Sequence, residues 1–499
     1  MKQRFSTILA LATVTFILGI NPGFAQDTPT NEDWLGTNAY LDPITMAPWF
    51  VKTVDSTTNV GEHESISIEP VSGMTLISYY DSVNADLRLA RYIQSGGNCG
   101  PNNSWMCVLV DSTDNVGQYN SIATYSLISS SSQQSDGTNG IPSSPYPPGA
   151  VLGYMITYYD ATHGALKYAS GYCKPNDCTA HTYTISTGSP YHGFYNGLYT
   201  SVKFDSKNQP HIAYFTTSYM AGEALWYAHF VGSGSGNCGS GAVAFDWQCD
   251  RIDYGEGVGK YASLDIDGKD IPNIAYYDAF HGYPKVAQYY GAFGNCGNSG
   301  DWNCRNVKQA LQDTGQNISM YAVDDRDVYI AYYNKTKGTL EYAYEDTFTG
   351  NCGYNFLTAR YEWHCDWIDN MGISPTQMGI AIVEDEAGYP IIAYQDASDD
   401  MSPTALKIAR PFNIMNPEKI TPNCGPVNVQ HTWYCKVIDG GGSWLDEANS
   451  VAIDINATGL ATIAYHELDS YANPIAGNLK IAFQRLQLFL PLMPRELSP

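Results

Sequence analysis

Positive charge is scarce in this chain of 499 residues: 26 Lys and Arg stand against 50 Asp and Glu, a formal net charge of −24. Affinity for nucleic acid rests on neutralising phosphates, so nucleic acid is not an expected partner. Cations and neutral polar ligands remain compatible with such a surface. Long apolar runs are equally scarce. One stretches from Ile8 to Ile20, behind Lys2 and Arg4 and ahead of Asn21-Pro22-Gly23 and Ala25. It is short for a membrane span and lacks a basic stop-transfer cluster, so residues 1–25 read as a secretory signal peptide removed after Ala25. Losing Lys2 and Arg4 takes the formal charge from −24 to −26. The mature chain is expected to be secreted or at the cell surface, with no transmembrane segment.

Catalytic and cofactor signatures are missing as well. There is no Gly-x-Ser-x-Gly, no His-Glu-x-x-His, no Walker loop and no dinucleotide fingerprint. No stretch keeps helical periodicity over three turns, which excludes helical bundles and alternating α/β folds. No Cys-x-x-Cys occurs, which argues against zinc.

Cysteine itself is plentiful. Twelve cysteines in an exported chain imply disulfides. They form six local pairs: Cys99/Cys107, Cys173/Cys178, Cys238/Cys249, Cys296/Cys304, Cys352/Cys365 and Cys424/Cys435. Five of the first cysteines sit in an Asn-Cys-Gly turn, and five of the second follow a tryptophan by two residues: Trp105, Trp247, Trp302, Trp363 and Trp433.

One unit recurs seven times. Its fullest copy runs Tyr261-Ala-Ser-Leu-Asp-Ile-Asp-Gly-Lys-Asp-Ile-Pro-Asn-Ile-Ala-Tyr-Tyr-Asp278, and a shorter run follows at Lys285 to Tyr290. The other copies enter at Ser65, Ser121, Ser201, Ser319, Gly379 and Ser450. Short segments rich in Ile, Val, Tyr and Trp, separated by Gly, Asn, Asp and Pro, are strands and turns. Each unit is therefore four antiparallel strands, and seven such units make an all-β, seven-bladed β-propeller. In six blades a cysteine pair is expected to bracket the turn between third and fourth strands, stapling the outermost and least buried hairpin.

The ring closes by a strand exchange. Residues 48–55 match the fourth-strand segment 431–439, while the last unit stops after its third strand near Phe483, so the N-terminal strand is expected to pair with the last blade. This removes two exposed sheet edges. The expected organisation is a signal peptide at 1–25, an extension at 26–47, the propeller at 48–486 and a tail at 487–499. A Ser-, Pro- and Gly-rich insertion at 129–149 reads as disordered.

Up-and-down blades put the fourth-to-first and second-to-third loops on one face and the cysteine loops on the other. The first of these faces has the longer, more variable loops and is where a site belongs. Candidate ligand-binding residues at its channel rim are His63, Tyr119, Tyr199, Tyr261, Gln377 and Glu447. Tyrosines, 39 in all, suit ring-shaped polar ligands such as sugars, with a flat apolar face and a hydrogen-bonding tip. The recurring Tyr-Tyr-Asp is read as structural, with Asp81, Asp160, Asp278 and Asp396 capping turns. The segment from Asp265 to Asp270 invites a calcium reading, but its counterparts in other units are plain hairpin turns and it lacks the ligand spacing of the helix-flanked calcium loop. No cofactor is expected, calcium being the one alternative.

The unit Ser-Ile-Ala-x-Asp-x-x-Gly-x-Pro-x-Ile-Ala-Tyr-Tyr-Asp, followed by Leu-Lys-Tyr-Ala, resembles a repeat of secreted bacterial β-propeller proteins loosely grouped with sialidase-like propellers. The resemblance spans residues 49–485 and implies fold alone, since that group mixes hydrolases, sugar-binding modules and surface proteins. Ser-x-Asp-x-Gly-x-x-Trp boxes are absent, and Arg88, Arg251, Arg305, Arg326 and Arg410 lie in different strands of the unit, which disfavours sialidase activity. The expectation is a monomeric extracellular recognition protein, more a binder than an enzyme, whose loop-rich face takes a glycan or a surface protein. The alternatives are a propeller-type glycoside hydrolase or lyase using carboxylates such as Glu62, Glu64, Glu256 or Glu447, and a structural component of the cell envelope.

Overall fold

A computed structural model describes residues 40–41 and 48–485, apart from 58, 71, 128–150, 176, 220–221, 309–311, 325–326, 356–357, 373–378, 397–404, 412–421, 426–431, 441–443, 446–449 and 469–476. The proposed signal peptide, the 129–149 insertion and the tail therefore lie outside the described residues, as do Gln377 and Glu447.

Seven antiparallel sheets surround one axis. Their innermost strands are Val60–Ile68, Val116–Ser126, Phe194–Phe204, Val258–Ile266, Thr314–Ala322, Ile380–Glu384 and Val451–Ile455, which number blades 1 to 7. Each packs beside the next, and the seventh packs beside the first. Blade 4 shows the pattern: Val258–Ile266 pairs with Pro272–Asp278, that strand with Tyr283–Tyr289, and that one with Trp302–Asn306. Its second strand is buried at every position, because both its faces are covered by neighbouring blades. Among the described residues, no helix is long and apolar enough to cross a membrane.

Closure follows the strand exchange. Pro48–Asp55 pairs antiparallel with Gly477–Gln484, with Trp49 opposite Gln484 and Phe50 opposite Phe483. Trp49 is buried like Trp105, Trp247, Trp302, Trp363 and Trp433, so each of these fourth strands places one indole in a seam. Trp247 meets Tyr168 of the preceding blade edge to face at 5.3 Å, and Trp302 meets Tyr227 at 5.0 Å.

Six disulfides join the six local cysteine pairs, each holding the hairpin of third and fourth strands. In five of them the asparagine before the first cysteine adds a second clamp. Asn98 donates to the Cys107 carbonyl at 2.8 Å and accepts from the Cys107 amide at 2.7 Å; Asn237, Asn295, Asn351 and Asn423 do the same to Cys249, Cys304, Cys365 and Cys435. This is why the turn reads Asn-Cys-Gly.

The cysteines of every pair lie in or against a buried cluster, which corrects the expectation of weakly buried staples, and the pair Cys173–Cys178 in blade 2 departs from the shared geometry as well. Cys178 lies directly opposite Cys173 in the strand register, with Cα atoms 4.1 Å apart against 5.9 to 6.0 Å in the other five pairs. Only four residues separate the two, and Tyr172 and Asn176 stand where the other pairs have the clamping asparagine and the tryptophan. Both cysteines are buried, packed among the apolar side chains between blades 1 and 2. Arg91 of blade 1 takes over the role of the clamp: its guanidinium donates to the Lys174 carbonyl and lies 4.0 Å from the Cys178 sulfur. This bridge therefore sits against the neighbouring blade.

The recurring Tyr-Tyr-Asp has three separate jobs. Its aspartate caps the following turn: Asp81, Asp160 and Asp278 accept from the amides of Asn84, His163 and His281. Its first tyrosine reaches back to an aspartate on the preceding blade's outer strand. Tyr79 donates to Asp55 at 2.7 Å, Tyr158 to Asp111 at 2.6 Å, Tyr276 to Asp253 at 2.6 Å, Tyr394 to Asp369 at 2.6 Å and Tyr465 to Asp439 at 2.5 Å. A third-strand cation completes the group, for instance Lys167 at 2.6 Å from Asp111 and Lys480 at 2.8 Å from both Asp439 and Glu467. Burial alone would lower the Lys480 pKa, but the two carboxylates hold it above the usual lysine value. The second tyrosine belongs to the rim described below.

Two seams vary this latch as a unit. Between blades 2 and 3 the positions hold Ser186, Thr216 and Trp226, all uncharged. Between blades 4 and 5 the charges are exchanged: Lys308 stands where other blades have aspartate and lies 2.5 Å from Glu341, which replaces the lysine. A buried charge needs its partner, so the positions change together.

The strand register corrects the repeat alignment in two blades. Ser65, Ser121, Ser201, Ser263 and Ser319 lie opposite Ser78, Thr157, Ala213, Ala275 and Ala331. In blades 6 and 7 the residues in that position are Ala381, opposite Ala393, and Ala452, opposite Ala464. Gly379 and Ser450 are therefore two residues upstream of the equivalent point, in the place that His63 occupies in blade 1.

Candidate functional site

Each of the first five inner strands is opened at the rim by two surplus residues. In blade 4, Val258 pairs with Asp278, Lys260 with Tyr277 and Ser263 with Ala275, which leaves Gly259 and Tyr261 bulged. Both have left-handed backbone, with φ of 106° and 55°. A Cβ on Gly259 would lie 2.7 Å from the Leu225 nitrogen, so only glycine lets this blade approach its neighbour. The same pairs recur as Gly61/His63, Gly117/Tyr119, Gly197/Tyr199 and Gly315/Asn317. Holding a bulky residue left-handed costs about 1–3 kcal/mol, and such strain marks positions worth a functional question.

The bulges bring four of the sequence-derived candidates together. His63, Tyr119, Tyr199 and Tyr261 line the mouth of a central channel of about 650 Å³. Their rings run side by side from blade 1 to blade 4, with centroids 4.7 Å apart from His63 to Tyr119, from Tyr119 to Tyr199, and from Tyr199 to Tyr261. All four are partly exposed. A second, buried tier supports them: Tyr80 lies 6.1 Å behind His63, Tyr159 6.3 Å behind Tyr119, Phe215 6.0 Å behind Tyr199 and Tyr277 6.0 Å behind Tyr261. The result is an aromatic arc, two rings deep, over four blades.

Burial raises the Tyr119 pKa, offset in part by its hydrogen bond with Tyr199. It likewise raises that of Tyr261 and pushes Tyr159 up to about 12. These phenols are neutral donor-acceptor groups at any physiological pH. Polar groups edge the arc. Tyr80 donates to the Asn115 side-chain carbonyl at 3.0 Å, Asn59 to Glu62 at 3.2 Å and Gln316 to Asp313 at 3.2 Å, and the Lys260 ammonium lies 5.8 Å from the Phe215 ring centre.

The other side of the mouth is different. Asn317, Gly379 and Ser450 hold the front positions on blades 5, 6 and 7, with Tyr333, Gln395 and His466 in the tier behind. Ser450 accepts from the Glu64 amide at 3.0 Å and donates to the Glu64 carboxylate, which is buried in the seam. Glu256, by contrast, is exposed on the linker between blades 3 and 4. These two candidate acids thus stand in different settings.

At the far end of the channel, Lys203 lies 3.4 Å from Asp265, and this carboxylate raises its pKa. Asp265 also accepts from the Ala322 amide at 2.8 Å and Asp454 from the Ile68 amide at 2.7 Å, tying blade 4 to 5 and blade 7 to 1. The acidic turn after Asp265 is a hairpin: Asp267 accepts from the amides of Lys269 and Ile271, while Asp270 turns to Ser206 of the neighbouring blade. Its three carboxylates have three different sets of partners. Among the described residues, no group of three or more His, Cys, Asp or Glu side chains is placed to hold a metal ion.

The second tier was not singled out by sequence reasoning, although the signal was present as the second tyrosine of Tyr-Tyr-Asp. Asn317, Gly379 and Ser450 were not among the sequence-derived candidates; on blades 6 and 7 those were Gln377 and Glu447, which lie outside the described residues.

No protein-family model matches the chain, and no curated protein matches it. Solved structures do resemble it. A protein of unknown function from Dyadobacter fermentans is 9% identical, with TM-score 0.38, over 88% of this chain and 98% of that one. The Aleuria aurantia lectin, solved with α-methyl-L-fucoside, is 10% identical, with TM-score 0.40, over 79% of this chain and 100% of that one. An α-L-arabinofuranosidase from Fusarium graminearum is 9% identical, with TM-score 0.39, over 72% of this chain and 98% of that one. At these identities and TM-scores the likeness says nothing of function.

Proposed function

We propose that this chain is an exported recognition protein that binds a neutral glycan at the channel mouth. The observation that carries this reading is the arc of His63, Tyr119, Tyr199 and Tyr261, partly exposed and backed by buried rings. A sugar ring has an apolar face that stacks on an aromatic surface and hydroxyls that need donors and acceptors at its edge, and the arc with its phenols and amides supplies both. Glu62 and Asp313 edge the arc with Lys260 as the accompanying cation, an environment that favours uncharged sugars over uronates. Six disulfides and the leader-like segment at 1–25 support export. Binding is preferred to hydrolysis because glycosidases need two carboxyl groups facing one bond, whereas Glu64 is engaged by Ser450 within a seam.

A glycan array carrying neutral and acidic oligosaccharides, probed with the full mature chain, tests this. Binding to neutral structures, weakened at least ~10-fold in the Tyr119→Ala/Tyr199→Ala double variant, is the expected result; ~10-fold corresponds to about 1.4 kcal/mol. Failure to bind any glycan, or binding that the double variant retains in full, overturns the proposal.

A further inference from the structure

On the loop face, the exposed aromatic side chains among the described residues gather on blades 3 and 4. They are Tyr191 at 94% exposure, Tyr219 at 93%, Tyr254 at 68% and Phe280 at 65%. This is the sector whose rim residues are Tyr199 and Tyr261. Other strongly exposed rings among the described residues, Phe245, Phe293 and Phe348, stand one each on the third-to-fourth-strand hairpins of blades 3, 4 and 5, so the four on the loop face form a group of their own.

The backbone carrying these rings is pinned. Pro190–His192 forms a short turn directly ahead of the strand that bears Tyr199, and the Tyr219 amide donates to the Gly193 carbonyl at 3.2 Å, tying Tyr219 to the end of that turn. The linker 254–257 is held on both sides: Gly255 donates to the Glu223 carbonyl of blade 3 and Ala279 of blade 4 donates to the Gly257 carbonyl, each at 3.0 Å. The Arg251 guanidinium stacks 4.4 Å from the Tyr254 ring. Beyond it, Phe280 meets His281 at 5.0 Å, and His281 stacks on Tyr283 at 5.3 Å. Aromatic rings on pinned backbone lose little freedom when a ligand covers them, which is the arrangement a binding strip needs.

The strip is continuous with the arc along the chain. Tyr195, four residues after Tyr191, lies close enough to Tyr159 of the second tier to help raise its pKa, after burial. Phe280 follows Tyr277 of the same tier by three residues, a reach of at most about 11 Å. Polar side chains intervene, among them His192, Glu223, Glu256 and His281, so the surface alternates ring faces with hydrogen-bonding groups.

From this placement we infer that the ligand is a linear oligosaccharide or polysaccharide whose end sits on the arc at the channel mouth while its following residues run outward over blades 3 and 4. The inference rests on the glycan reading above. It makes the protein a chain-length-sensitive binder with two zones, an inner one built on Tyr119, Tyr199 and Tyr261 and an outer one built on Tyr191, Tyr219, Tyr254 and Phe280.

The test is calorimetric titration of the full mature chain with cello-, xylo- and arabino-oligosaccharides of two and six residues. The variants are an outer triple, Tyr191→Ala/Tyr219→Ala/Phe280→Ala, and the inner double, Tyr119→Ala/Tyr199→Ala, each checked for an unchanged melting temperature. In the native chain one of these series is expected to bind at least ~10-fold tighter as the hexamer than as the dimer. The outer triple is expected to erase that difference and leave dimer affinity intact, whereas the inner double loses both. Equal affinity for dimer and hexamer, or a length preference that survives in the outer triple, overturns the outer zone while leaving the arc in place. Dimer binding that persists in the inner double overturns the arc itself, and absence of binding in all three series overturns both zones.

Discussion

Tyr199 carries two loads that a single substitution separates. Its backbone is left-handed, with φ of 51°, and its ring joins Tyr119 to Tyr261 in the arc. Glycine accepts that backbone without strain, so Tyr199→Gly is expected to change unfolding free energy by no more than about 1 kcal/mol while reducing glycan affinity as much as alanine does. Urea unfolding and calorimetry on the same preparation check the two halves independently. Loss of both together means that the ring is there for packing alone. Gly259 reverses the relation, since its φ of 106° and the nearness of Leu225 leave no room for a Cβ.

Among elements, the seam latch makes the sharper prediction. Lys285 lies 2.5 Å from Asp253 of the preceding blade and 3.9 Å from Asp278 of its own, and Tyr276 donates to the same Asp253. Lys285→Met leaves two largely buried carboxylates facing each other and is expected to cost about 3 kcal/mol. Adding Asp253→Asn and Asp278→Asn removes the stranded charges and is expected to recover a large part of that loss, which urea denaturation of the single and triple variants would measure. The uncharged seam of Ser186, Thr216 and Trp226 already shows that the fold accepts such a solution.

This scale also separates what the sequence made legible from what it hid. Blades, cysteine hairpins and the closing strand could be read because each is local: alternating strand residues, turn residues at fixed offsets, and a matching orphan at the opposite end. His63, Tyr119, Tyr199 and Tyr261 could be read because each stands at the rim of the loop-rich face near the start of a first strand; a glycine two residues ahead of each marks the same place. Blades 6 and 7 have no glycine in that place, and Gly379 and Ser450 imitated the repeated serine, so small residues alone could not fix the register. The pairing of Cys173 with Cys178 was legible from their spacing, but its burial was not, because Arg91 and the apolar side chains that cover it come from another blade. The latch stayed hidden for the same reason: its members are on adjacent blades and only meet when the ring is built.

For the whole molecule, ring closure is the property to test. Pro48–Asp55 supplies the outer strand of blade 7, and its Asp55 accepts from Tyr79 of blade 1 at 2.7 Å. Without it, Gly477–Gln484 becomes an open edge and blade 1 loses its partner. A chain lacking residues 26–55 is expected to melt at least several degrees lower and to aggregate on heating, which scanning calorimetry and light scattering would register. Heat resistance equal to that of residues 26–499 would show that the seam contributes nothing.

That seam also dictates a schedule. The eight residues that finish the circle are synthesised long before the strand they must find. A half-made chain can raise several walls but cannot yet join them, and pairing between such distant partners is slow. Final assembly therefore waits until Gly477–Gln484 has been made, whereas each of the six hairpins, closed within its own blade, can be locked before the circle is.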